Sequence, residues 1–457
     1  MRLPIHVALD ATAATLFGAD EAPATVRIVT DTRLLEPGDT FVALRGERYN
    51  GHDYTREAIA RGAAMVVIDE PHARIEGAPA MLVERTHLAY MALARAARGF
   101  FEGQVIAITG SAGKTTTKVL LVQLLRARYG DRVLAAPANE NNELGVSKLL
   151  LRATNDEHDV LVVEMGARHY GDIEQLVDIA RPQFGILTNV GDAHLEIMGS
   201  RERLEETKWA LFGEGARAML NLDDAVSRAR AGSLERPPHW FAARDAGAGL
   251  AIDGRVTALL GSAQLIDDEG SGVRSYEVDV RLPGTHNRAN LAAALAGAFE
   301  LGVSAEAAIP LLPGLRLPEG RFERLRAGGL QLVFDAYNAN AAGTAAALEA
   351  FAQEPGARHI AVLASMAELG DESEPLHERT GAYAATKVDM LLVGGEYAGA
   401  LARGARGAGL SSERIVLFAT NGEAASWLRA HARAEDVVLL KGSRKYKLEE
   451  IVEELRR

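Results

Sequence analysis

No cysteine occurs among the 457 residues, which excludes disulfides, thiolate zinc sites and cysteine nucleophiles. No apolar run reaches the roughly 18 residues of a membrane span, so no membrane insertion is expected. The opening stretch, Met1-Arg2-Leu3-Pro4-Ile5-His6, lacks a basic region followed by an apolar core, so no leader peptide is expected either. Positive charge is in deficit: 50 Lys and Arg against 62 Asp and Glu give a formal net charge of −12. That balance argues against nucleic acid or an anionic membrane as the main partner, while leaving local basic patches free to bind phosphates. There is no internal repeat and no low-complexity tract. What remains is a globular composition, 48% hydrophobic and 25% charged, for which a cytoplasmic location is expected. The length calls for two or three domains of about 100–200 residues each.

Hydrophobic patterning divides the chain into three α/β units, over residues 1–84, 85–315 and 316–457. In the first, Val26–Val29, Thr40–Leu44 and Ala64–Ile68 read as strands, and Tyr54–Arg61 as a helix ended by Gly62. The second opens with the β-branched run Val105-Ile106-Ala107-Ile108-Thr109, a glycine-rich turn and a helical pattern from Lys114 to Arg128. Further strand-length runs at Asp159–Val163 and Phe184–Leu187 suit a parallel sheet of βαβ units. Residues around 212–283 read as a peripheral β-rich excursion. In the third unit, runs at Leu330–Phe334, Ile360–Leu363, Met390–Val393, Ile415–Phe418 and Val437–Leu440, separated by helical segments, predict a doubly wound, Rossmann-like sheet.

The strongest local signal is Thr109-Gly110-Ser111-Ala112-Gly113-Lys114-Thr115-Thr116. Glycines let the backbone curl so that its N–H groups face phosphate oxygens, and the following helix brings its positive end to the same place. Lys114 would reach the β- and γ-phosphates of ATP, and the Thr115 hydroxyl would ligate Mg²⁺. A fully spaced Walker sequence would have glycine where Ile108 stands, so this is a shortened variant; a glycine-rich turn with a chance Lys-Thr is the bland alternative. The strand before and the helix after favour a phosphate loop. Glu164 closes the strand-like run Val160–Val163, at the end of a parallel strand where ligands bind, and suits Mg²⁺; a helix-capping role is equally open. By pattern alone His194 is a structural histidine, and Lys208, fourteen residues later, a solvated helix lysine.

Taken in order, the motifs along nearly the whole chain resemble the Mur ligase family, most closely its branch that adds D-alanyl-D-alanine. Asp31-Thr32-Arg33, Pro37–Gly46 and Gly51-His52-Asp53 are similar to the family's uridine-nucleotide domain, and Gly110–Thr116 to its phosphate loop. Asn139–Val146 resembles the Asn-rich segment typical of that branch. Glu164–Ala167 and His194-Leu195-Glu196 resemble the metal-binding segments, and Gly284–Asn290 the nucleotide-contacting segment that closes the central domain. Gly320–Glu323, Asp335–Asn340 and Lys441–Arg444 resemble segments of the C-terminal domain.

The resemblance implies three domains: a small UDP-substrate domain, a central ATPase domain and a Rossmann-like ligase domain. It implies an ATP- and Mg²⁺-dependent ligase that adds D-Ala-D-Ala to UDP-MurNAc-tripeptide through an acyl phosphate, in cell-wall precursor synthesis, with a monomer expected. Lys114 and Arg321 would neutralise the γ-phosphate; Thr115 and Glu164 would hold one Mg²⁺. His194 would help hold a second, with Lys208 as a carbamate. Asn290 and Asp335 would contact adenine and ribose, while Thr32, Arg33, Gly46 and Asn142 would take the UDP-substrate. Three positions depart from the family pattern: Ala341 in place of proline, Ala210 in place of an acidic residue, and Ala364-Ser365 in place of Gly-Asp. Two other readings stay open: a relative adding another amino acid, of the folylpolyglutamate or diaminopimelate type, and a nucleotide-binding partner subunit without ligase activity.

Overall fold

The computed structural model describes residues 1–137, 140–191, 195–244, 255–260, 264–268, 273–367 and 369–457. Three α/β bodies follow one another along the chain, each around its own sheet. The first sheet has the order Thr15–Phe17, Ala80–Leu82, Met65–Ile68, Thr40–Val42, Ile28–Val29, antiparallel only at its first pair. Val66, Val67 and Ile68 are fully buried, as expected of a parallel strand covered on both faces.

The central sheet has nine strands. Gln104–Thr109 lies between Phe184–Leu187 and Val160–Glu164, all parallel. The chain leaves this strand at a topological switch point, where ligands of open α/β sheets bind. The region read as a peripheral excursion instead continues the same sheet. Arg217–Asn221, His239–Ala242 and Arg255–Leu260 add parallel strands, and Gln264–Asp268 and Val273–Glu277 finish it antiparallel. The central sheet is therefore mixed at its far edge rather than purely parallel. Its strands here are short and interrupted by turns, which weakens the alternation that would have marked them.

Helix Thr285–Glu300, rich in alanine, crosses one face of this sheet against helix Lys114–Tyr129. The approach is close: a Cβ on Gly297 would lie 2.9 Å from Ile186 Cδ1. Leu120, Leu121, Leu124 and Leu125 are all fully buried there, each contributing about 1.5–3 kcal/mol of apolar burial. On the opposite face, helix Thr86–Phe100 joins the first and central sheets through one continuous apolar cluster that includes Val67, Leu93 and Leu161.

The third sheet runs Glu323–Ala327, Leu330–Asp335, Val437–Lys441, His359–Ala364, Met390–Gly394, Ile415–Phe418. Only the first pair is antiparallel, a hairpin turned by Gly328 and Gly329, both at positive φ. Among the described residues no helix is long and apolar enough to cross a membrane.

Candidate functional site

The phosphate loop leaves Thr109 and is clamped from two sides. Gly110 and Gly113 have φ of +142° and +84°, and a Cβ at either would fall 2.0 Å from Thr188 Oγ1 or 2.1 Å from Asn290 Oδ1. Glycine is required there by space as well as by conformation. The loop after strand Phe184–Leu187 provides the first clamp. Thr188 Oγ1 and Asn189 Nδ2 donate to the Ala112 carbonyl at 2.6 and 3.1 Å, Asn189 Oδ1 accepts from the Ala112 amide at 3.1 Å, and the Ser111 amide donates to the Asn189 carbonyl at 2.9 Å. Asn290, expected to contact the nucleoside, lies against Gly113 of the phosphate loop, with its amide 3.4 Å from Asn287 Oδ1. Thr116 is buried in the first helical turn. Lys114 Nζ folds back to the Gly110 carbonyl at 2.7 Å. Burial lowers its pKa, opposed by the charge of Glu164 and reinforced by that of Arg321.

Glu164 ends its strand 1% exposed, with Thr115 Oγ1 and Asn141 Nδ2 donating to Oε1 at 3.0 and 2.9 Å. Thr115 and Glu164, the expected Mg²⁺ ligands, are thus adjacent. Their 3.0 Å separation matches the edge of ~2.9 Å between neighbouring ligands of an octahedral Mg²⁺, so this oxygen pair fits the ion. Facing Oε2 at 3.1 Å is Lys118, itself 2% exposed, which sequence reasoning overlooked. Its signal was its place one helical turn after Lys114, but a lysine at that spacing reads as surface.

Lys208 corrects the reading from pattern alone. It is 1% exposed, on the buried face that helix Arg201–Trp209 makes with Leu204 and Thr207. The spacing of these three residues is that of an inward helical stripe, in which a lysine is not expected. Its pKa is lowered to about 7, first by burial and then by the charge of Lys114, with Asp172 opposing. His194 lies outside the described residues.

The third body contributes Arg321, Asp335 and a lysine to which the sequence reading gave no role. Gly320 and Phe322 both have positive φ, +68° and +54°, on either side of Arg321. Left-handed backbone at a phenylalanine costs about 1–2 kcal/mol, which the burial of its ring offsets; Phe322 is 3% exposed. The Phe322 amide donates to Asp335 Oδ1 at 3.3 Å, and the Arg321 guanidinium lies 4.5 Å over the Tyr337 ring. Lys441, buried, sits 3.1 Å from Asp335 Oδ2 and donates to the carbonyls of Asp335 and Asn338. The Asp335 carboxylate is therefore engaged with Lys441 and a backbone amide.

Thr32, Arg33 and Gly46 follow the carboxyl ends of the neighbouring parallel strands Ile28–Val29 and Thr40–Val42. Thr32 Oγ1 donates to Glu57 Oε1 at 3.2 Å, and the Gly46 amide donates to the Tyr49 carbonyl at 3.0 Å. Arg33 is largely exposed and paired with Asp31, whose pKa it holds at about 2. Asn142 is the N-cap of helix Glu143–Arg152, accepting from the Gly145 amide at 3.0 Å. Lys148 of that helix pairs with Glu140 and also lowers the Asp31 pKa. The segment that gives Asn141 to Glu164 thus leads directly to the helix facing the Asp31 turn.

His52, Asp69 and Glu70 form a cluster of potential metal ligands. Both His52 nitrogens are already engaged, Nδ1 with Asn50 Oδ1 at 2.8 Å and Nε2 with the Asp69 amide at 3.1 Å. This cluster reads as loop architecture.

Comparison with known proteins agrees with this arrangement. Profiles described as the Mur ligase family catalytic domain, the Mur ligase middle domain and the Mur ligase glutamate ligase domain match residues 26–100, 108–298 and 320–444. The UDP-N-acetylmuramoyl-tripeptide–D-alanyl-D-alanine ligase of Synechocystis is 36% identical over 94% of this chain and 91% of its own. A crystal structure of MurF from Acinetobacter baumannii superposes with a TM-score of 0.84 at 28% identity, covering 100% of this chain and 99% of that one. MurF from Thermotoga maritima, solved in complex with ADP, gives 0.78 at 29% identity over 94% and 97%.

Proposed function

The chain belongs to the Mur ligase family, and we infer from that membership and from the site that it is an ATP-dependent, ADP-forming ligase that adds D-alanyl-D-alanine to UDP-N-acetylmuramoyl-tripeptide in peptidoglycan precursor synthesis. One observation carries the reading at the level of the site. The phosphate loop, the Thr115–Glu164 oxygen pair and the buried Lys208 meet at the carboxyl edge of the central sheet, and Arg321 of the third body lies close enough to influence Lys114.

The mechanism we propose is acyl-phosphate formation. The tripeptide carboxylate attacks the γ-phosphorus of ATP and ADP leaves; the dipeptide amine then attacks the acyl carbon and phosphate leaves. Lys114 turns from the Gly110 carbonyl toward the β- and γ-phosphates, and Arg321 meets the γ-phosphate from the other side, spreading the charge of the transferring group. Thr115 and Glu164 would hold Mg²⁺, which supplies further charge neutralisation on the phosphate oxygens. His194 and Lys208 are proposed for a second ion, with Lys208 as the carbamate. CO₂ adds only to a neutral amine, and the burial of Lys208 with its lowered pKa supports that form. Asn290 and Asp335 are proposed for the nucleoside, where Asp335 would have to share its carboxylate with Lys441. Thr32, Arg33, Gly46 and Asn142 are proposed for the UDP-substrate. A cytoplasmic location, a monomeric state and domain boundaries near residues 84 and 315 belong to the same proposal.

The deciding experiment is mass spectrometry of products, with ADP release measured in parallel, over a panel of UDP-MurNAc peptides and amino-acid or dipeptide acceptors. ADP release that requires both the tripeptide and D-Ala-D-Ala, and is lost in Lys114→Ala, is expected. Near-wild-type turnover in Lys114→Ala would remove the phosphate loop from the mechanism.

A further inference from the structure

Behind the expected metal-binding carboxylate sits a buried cation that the mechanism above does not use. Lys118 is one turn beyond Lys114 on helix Lys114–Tyr129 and is 2% exposed. Its Nζ lies 3.1 Å from Glu164 Oε2 and donates to the Ala136 carbonyl at 3.0 Å. Glu164 therefore divides its two oxygens: Oε1 faces Thr115 Oγ1 and Asn141 Nδ2, and Oε2 faces Lys118. Removing an ammonium and a carboxylate from water is costly for each ion. The other buried residues of helix Lys114–Tyr129 are Thr116, Thr117, Leu120, Leu121, Leu124 and Leu125, none of them charged, so an uncharged residue at 118 would have given an easier core.

We propose that Lys118 is a positioning residue. By holding Glu164 through Oε2 it turns Oε1, beside Thr115 Oγ1, toward Mg²⁺ as a single-oxygen ligand. The proposal rests on the reading of Thr115 and Glu164 as metal ligands. The Ala136 carbonyl, just past strand Val133–Ala135, anchors the ammonium independently of any ion. Lys118 thereby ties three things together: the phosphate-loop helix, the metal carboxylate, and the exit of the strand that leads to Asn141. An ammonium that merely occupied the ion's place would behave oppositely, competing with Mg²⁺ rather than assisting it.

The test uses the full-length enzyme with ADP and follows binding of Mn²⁺, a paramagnetic substitute for Mg²⁺, by electron paramagnetic resonance. In parallel, the Mg²⁺ dependence of ADP release is measured together with KM for the UDP-substrate. Lys118→Met is expected to raise the Mn²⁺ dissociation constant and the half-saturating Mg²⁺ concentration by about tenfold or more, the usual effect of losing a group that orients a metal ligand. KM for the UDP-substrate should stay unchanged, and Lys118→Arg should recover part of the loss. Lys118→Gln, which can still donate to the Ala136 carbonyl, provides the same comparison if the methionine variant folds poorly. Unchanged Mn²⁺ affinity in folded Lys118→Met or Lys118→Gln would overturn the proposal by reducing Lys118 to packing, and tighter affinity would overturn it by making Lys118 a competitor. Glu164→Gln separates the two levels: if it leaves Mn²⁺ binding intact, the metal-ligand reading itself fails.

Discussion

At the scale of single residues, the site is built from charges held where water is scarce. Lys208 has no carboxylate within ion-pair distance among the described residues, and burial, followed by the charge of Lys114, lowers its pKa to about 7. An unfolded lysine titrates near 10.4. Between these values the unfolded chain binds more protons than the folded one, so folded stability rises with pH across that window, and the full penalty applies below it. With CO₂ excluded, so that Lys208 is the free amine, Lys208→Met should therefore be more stable than the wild type, with the largest difference near pH 6 and a shrinking one toward pH 10, as read by thermal midpoints across pH. The same change should abolish ligation. Lys208→Ala, which leaves space, should regain part of its activity with acetate or formate, because a small carboxylate can fill the position proposed for the carbamate. Full activity in Lys208→Ala, indifferent to added carboxylate, would end the carbamate reading. Lys118 and Lys441 show the complementary design, each buried but paired with a carboxylate and a carbonyl.

At the scale of elements, two departures from the family pattern find local explanations. Helix Ala341–Phe351 starts without proline at its first position, yet Asn340 caps it, accepting from the Gly343 amide at 2.7 Å. Asn340→Ala should lower stability by about 1 kcal/mol, the usual worth of such a cap. It should also loosen the loop Asp335–Asn340, seen as faster amide exchange at Gly343 and Thr344; unchanged exchange would show that packing alone starts the helix. Ser365, of the Ala364-Ser365 pair that stands in place of Gly-Asp, is fully buried, and its Oγ accepts from the Tyr397 amide at 2.9 Å and donates to the Gly394 carbonyl at 3.3 Å. It joins the ends of two neighbouring strands. Nothing among the described residues explains Ala210 in place of an acidic residue.

At the scale of the whole molecule, the third body is joined to the central one by apolar packing at Leu317, which touches both cores, and by polar contacts at the linker. Gln123, on the phosphate-loop helix, donates to the Arg316 carbonyl at 2.9 Å and accepts from the Arg316 amide at 3.1 Å. A side-chain amide here pairs with the linker backbone as a strand would. His286 and Phe322 meet edge to face across the same junction, with ring centroids 6.4 Å apart. The contacts at Arg316 are exposed, so each contributes little to overall stability, on the order of 1 kcal/mol. Gln123→Ala is therefore expected to leave the main thermal transition within a few degrees of wild type while accelerating proteolytic cleavage between residues 314 and 320. Cleavage at the wild-type rate would mean that the side-chain clamp does not hold the linker.

Much of this molecule was written in short-range pattern. Parallel strands here are near-continuous apolar runs, so Phe184–Leu187, inside its sheet, and Ile415–Phe418, at an edge with Leu417 exposed, could both be bounded to the residue. The phosphate loop was readable because glycine, lysine and threonine at that spacing have few other uses. In the hairpin Glu323–Asp335 only the second strand was read; the first, Glu323–Ala327, was missed, although Gly328-Gly329 before the second was a usable turn signal. The far strands of the central sheet could not be placed, because strand order depends on partners distant in sequence. Tertiary structure alone decided the fate of the lysines. Sequence can show that Lys114, Lys118, Lys208 and Lys441 exist, but whether an ammonium meets water, a carboxylate or another ammonium depends on which strand ends and helices converge on it. In this fold they converge at the carboxyl edges of two sheets, where burial and neighbouring charge give identical side chains different chemistry.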